Sequence, residues 1–109
     1  MTSKSSQTTD AGAFAASLGR ARPPAGLDGA LQALWHAAKG DWNKAHDLAQ
    51  TEDNESGAWV HAYLHRVEGD LSNADYWYCR AGRKRPRSSL DDEWRAIAEA
   101  LLDAARDRR

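Results

Sequence analysis

Apolar residues along this chain recur with the period of a helix rather than a strand. Leu27, Leu31, Leu34, Trp35 and Ala38 stand at offsets of 4, 7, 8 and 11, which marks one face of an amphipathic helix. Trp42, Ala45, Leu48 and Ala49 repeat the spacing after Gly40-Asp41, and Val60, Tyr63, Leu64 and Val67 repeat it again. Beyond Gly69-Asp70 come Leu71, Ala74, Trp77, Tyr78 and Ala81, and the last stripe is Trp94, Ile97, Ala98, Leu101 and Ala105. A short segment, "AGAFAASLGR", precedes them, with Phe14 and Leu18 on one face and Asp10 as its cap. No segment alternates as a strand does. The pattern predicts an all-α fold.

The polar positions supply the punctuation. "RPPAG" stops the first helix, because consecutive prolines remove amide donors and force extended backbone. "TEDNESG" reads as a polar loop and "GRKRPRSS" as a basic connector. Ser89 caps the final helix, with Asp91, Asp92 and Glu93 in its first turn and "RDRR" at its end, both suited to the helix dipole. Residues 1–9 are Ser/Thr-rich with little to bury and read as a disordered tail, which leaves 10–109 as one helical domain.

The two central hairpins repeat each other. "ALWHAAKGDWNKAHDLA" from Ala33 aligns with "AYLHRVEGDLSNADYWY" from Ala62 at a shift of 29 residues. His36 meets His65, Gly40-Asp41 meets Gly69-Asp70, and Ala45 meets Ala74. The glycine closes one helix, the aspartate caps the next, and the alanine lets the pair approach closely. The predicted architecture is two stacked helix-turn-helix hairpins between an N-terminal and a C-terminal helix.

In the second copy, Ala74 follows Asp70 by four, Tyr78 follows by four more, Ala81 by three, and Pro86 by five. That spacing resembles a tetratricopeptide or Sel1-like repeat, well over Gly69–Pro86 and loosely over Trp59–Glu68. Over Leu31–Ala49 it departs, with Glu52 and Gly57 where the late alanine and proline belong. The string "HAYLHRVEGD…NADYWYCRAG" also resembles a family of short, mostly bacterial proteins that carry no assigned activity. The repeat resemblance implies a partner-binding scaffold whose concave face accepts a protein or peptide. On this chain that face carries Trp59, Tyr63 and Arg66 in the second copy, and Ala30, Leu34 and Ala37 in the first.

Composition changes this picture little. The formal net charge of -1 gives no global pull toward nucleic acid or an anionic membrane. The one cysteine, Cys79, excludes an internal disulfide, fits a reducing cytoplasm, and reads as a packing residue. No stretch approaches the ~20 apolar residues of a spanning helix. "RAGRKRPR" holds five basic residues in eight, a local patch suited to phosphate-rich partners, but no base-reading motif accompanies it.

The candidate chemistry lies at the histidines. His61 and His65 stand four apart on one helix, so both imidazoles project from one face. A divalent metal such as zinc can use such a pair given a third ligand, for which His36, His46, Glu68 and Asp70 are candidates. The alternative is that both rings flank an apolar stripe and hydrogen-bond between helices. Trp59 and Tyr76 fall off the stripes and are expected to be exposed. The reading preferred from sequence is a non-enzymatic interaction module without a cofactor. It would bind a protein partner or pair as a homodimer through Trp59, Tyr63, Arg66 and Tyr76. A metal- or ligand-binding protein using His61 and His65, with His36, is the alternative.

Overall fold

The computed structural model describes residues 10–107. The reading of residues 1–9 as a tail falls outside them. Among the described residues the elements are six α-helices, one 3-10 turn at Ser17–Gly19, and no strand. The helices are α1 (Ala11–Ala16), α2 (Gly29–Ala38), α3 (Trp42–Thr51), α4 (Glu55–Glu68), α5 (Leu71–Arg80) and α6 (Leu90–Asp107).

Side-chain caps set most of the boundaries. Asp10, Asp28 and Asp41 accept from the amides of Ala13, Leu31 and Lys44 at 2.7, 2.9 and 3.2 Å. Asn54 accepts from Gly57 N at 2.8 Å, which starts α4 inside the stretch expected to be a polar loop. Gly69 then ends α4 in the left-handed region, at φ 89°.

Helices α2 and α3 form one hairpin and α4 and α5 the other, stacked so that α3 packs on α4, with α1 and α6 flanking. Helix α6 lies against the first helix of each hairpin, α2 and α4, and also meets α1. The core is built from Leu31, Leu34 and Trp35 of α2, Val60 and Leu64 of α4, and Ile97 of α6. Each such aliphatic side chain contributes about 1.5–3 kcal/mol by leaving water. Ala45 and Ala74 are fully buried where the paired helices approach. At the far end the Phe14 ring stacks on Trp94, 5.5 Å between centroids, and Trp94 Nε1 donates to the Leu34 carbonyl at 2.8 Å.

Helix α4 is the centre of the molecule, touched by α2, α3, α5 and α6. Every residue from Gly57 to His65 is buried, not just one stripe. A helix with neighbours all round hides all its faces, and residues that fall off an amphipathic stripe are buried with the rest. The stripe ends behave in the opposite way. Val67 and Leu71 flank the Gly69 turn beyond the reach of neighbouring helices and are exposed, as are Ala38 and Ala105. No helix among the described residues is long and apolar enough to cross a membrane.

Candidate metal centre

The packing of α3 on α4 brings three histidines together. His46 projects from α3, and His61 and His65 stand one turn apart on α4. Trp42 ties the two helices by donating from Nε1 to the Leu64 carbonyl at 2.8 Å. Its ring then stacks on His46, 4.8 Å between centroids and 12° from parallel. His46 meets His61 edge-on at 4.6 Å, and His61 lies nearly parallel to His65 at 5.0 Å. The outer face of His61 is covered by Trp77 of α5, 3.9 Å away at 14°. Two indoles thus hold the imidazoles from either side.

One ring nitrogen from each histidine lies within 4.8 Å of the other two. A tetrahedral ion held at ~2.1 Å needs its nitrogens ~3.4 Å apart, so the three rings would draw closer together to hold one. The protonation states favour this. Burial, and then the charges of His46 and His65, push the His61 pKa from 6.5 down to about 4. His46 is lowered as well, first by burial and then by His65. Both rings are therefore neutral near pH 7, and a neutral imidazole has the lone pair a metal requires.

His65 is oriented from outside the cluster. Its Nδ1 lies 2.7 Å from Glu68 Oε2, and Asn73 Nδ2 lies 3.4 Å from its Nε2. An Nδ1 proton donated to Glu68 leaves the Nε2 lone pair for Asn73 or for an ion, the carboxylate–histidine arrangement common behind metal ligands. His65, Glu68 and Asp70 form a second group with ligand spacing. Glu68 and Asp70 are exposed, and the first of them already holds His65 Nδ1, so the three-histidine set is the better enclosed. His61, alone of the three, also lines a cleft of about 250 Å³ with Gln50, Asn54, Glu55 and Arg80.

This arrangement corrects the expectation that the chain needs no cofactor: His46, His61 and His65 have the donor chemistry and proximity of a metal site. The third ring is His46, not His36. His36 sits in the last turn of α2, edge-on to Trp35, outside the cluster, because α3 rather than α2 presents its side chains at this end of α4.

The four residues read as partner contacts fare differently. Trp59 and Tyr63 are buried, contrary to the exposure expected of Trp59, because α6 covers that side of α4. Burial, then Glu93 and Asp91, raise the Tyr63 pKa from 10.0 to about 12. Arg66 is turned inward to Glu93 Oε1 at 2.8 Å. Tyr76 alone is open, 54% exposed. Cys79, expected to pack, is on the surface.

Sequence reasoning missed Glu93, which is 2% exposed and accepts from Trp59 Nε1 at 3.2 Å and from the Tyr78 hydroxyl at 2.7 Å. A signal was present, since Glu93 precedes Ile97 by four and so belongs to the buried stripe of α6. Comparisons with family models, with curated proteins and with solved structures find no match for this chain.

Proposed function

We propose that this protein binds a divalent transition metal, with zinc as the best fit, through His46, His61 and His65. The observation that carries the reading is the convergence of three imidazole nitrogens within 4.8 Å, two of them on rings that burial keeps neutral. Three nitrogen donors suit zinc and its neighbours over calcium or magnesium, which prefer oxygen. An ion held by three protein ligands keeps a fourth position open to water or to an exogenous ligand. A cleft reaches one of the three ligands, His61, from the surface.

The tetratricopeptide-like reading of the hairpins leads to a partner-binding face along α2 and α4. Helix α6 lies on those two helices, so the metal centre is the better supported proposal.

The test is metal content after loading tag-free protein with zinc, and the absorption spectrum after loading with cobalt(II). One equivalent is expected in the wild type and in His36→Ala, with binding weakened at least about tenfold in His46→Ala and in His61→Ala. Metal far below one equivalent in the wild type, or equal loading of the wild type and both ligand variants, would overturn the proposal.

A further inference from the structure

The connector between α5 and α6 forms, with one side of α5, a cleft of about 1000 Å³ that plays no part in the histidine cluster. Arg83, Lys84, Arg85 and Arg87 line it together with Asp75 and Cys79. The connector is anchored at three points. The Arg83 guanidinium lies over the Trp59 ring, its Cζ 3.4 Å from the centroid. Arg85 binds Asp75 through Nε at 3.0 Å and Nη2 at 3.4 Å. The Ser88 carbonyl accepts from Arg66 Nη2. Between these anchors Lys84 and Arg87 have no carboxylate partner among the described residues. One acidic side chain therefore faces four basic ones across a wall whose shape is already set.

We propose that this cleft is a binding site for a small phosphate-bearing polyanion. Positive charge held without a counter-ion, on a backbone already ordered, binds an anion with little ordering cost. Guanidinium and ammonium groups set side by side match the oxygens of linked phosphates. The aromatic neighbours argue for phosphate rather than nucleic acid. Arg83 covers the Trp59 face, and Tyr78, the one ring in the cleft lining, is buried with its hydroxyl on Glu93, so the cleft itself offers a base no open ring to stack on.

Inorganic tripolyphosphate is the probe, titrated calorimetrically into protein freed of metal so that it cannot act by stripping an ion. Saturable binding near one equivalent is expected, weakening with added salt. The Lys84→Ala/Arg87→Ala double variant should bind about tenfold more weakly at unchanged helicity, since both side chains are exposed. Alkylation of Cys79, the only thiol, should slow as tripolyphosphate fills the cleft. Absence of saturable binding would overturn the proposal, as would equal affinity in the double variant. Hexaglutamate bound as tightly as tripolyphosphate would reduce the site to bulk charge, and tighter binding of oligouridine would make it a nucleic-acid surface. Either result also rejects the assignment.

Discussion

At Glu93 one carboxylate of α6 takes hydrogen bonds from both helices of the second hairpin, through Trp59 and Arg66 of α4 and Tyr78 of α5. Burial, and then the hydrogen bond to Glu93, raise the Tyr78 pKa well above its ordinary value and keep its hydroxyl a donor. Removing one partner of a buried ion pair leaves the other charge uncompensated, so Glu93→Ala should cost about 3–5 kcal/mol in urea unfolding. Glu93→Gln keeps an acceptor for Tyr78 but leaves Arg66 without its counter-charge, and should cost about 1–3 kcal/mol. Losses under ~0.5 kcal/mol in both, the range of ordinary surface changes, would mean that the network contributes nothing. The sequence offered Glu93 as the third acid of "DDE", and the dipole reading suits Asp91 and Asp92, which are exposed. What separates Glu93 from them is the helical phase it shares with Ile97, together with partners 15 to 34 residues away that no local pattern reveals.

At the scale of elements, the helices and their order were legible because local chemistry sets them: an apolar period, a glycine to end, an aspartate to begin. The start of α4 was not, because Gly57 reads as a loop residue and is helical. Two glycines, one inside α4 and one just past its end, therefore make different predictions. Gly69 has φ 89°, with nothing within 4 Å of where a Cβ would stand, so Gly69→Ala meets only the left-handed backbone penalty of about 1–2 kcal/mol. At Gly57 a Cβ would stand 2.2 Å from the Glu52 carbonyl oxygen, and the α3–α4 link must shift to admit it. Overpacking of that kind costs about 1–3 kcal/mol and displaces α3 relative to α4. Because His46 is on α3 and the other two rings are on α4, Gly57→Ala should weaken zinc binding while Gly69→Ala leaves it near wild type. Zinc titration of the two variants checks this, and equal affinities would show that the link does not set the spacing of the rings.

Across the whole molecule, the position of α4 at the centre decides both what is buried and what can titrate. The pair His61 and His65 was visible in the spacing, but its burial and its third member depended on which helix packs alongside, and an amphipathic stripe fits many neighbours. Enclosure has a consequence for acid stability of the metal-free protein. Unfolded, His61 takes up a proton near 6.5; folded, it resists until about pH 4. Between those values the unfolded chain binds more protons, so stability falls as pH drops from 6.5 toward 4, and the contribution is flat above that window. His46 acts in the same direction, lowered by burial and by His65, while Asp47 and Glu68 oppose it. Carboxylates elsewhere also titrate at the lower end, so the decisive quantity is a difference: urea-unfolding free energies of wild type and His61→Gln at several pH values. The wild type should lose stability more steeply than the variant below pH 6.5, and parallel curves would show that the ring is not held neutral. Zinc should sharpen the contrast. It binds the deprotonated rings of the folded state, so its stabilisation should be largest near neutral pH and fade through the same window. Protons and the ion would then be competing for His46 and His61.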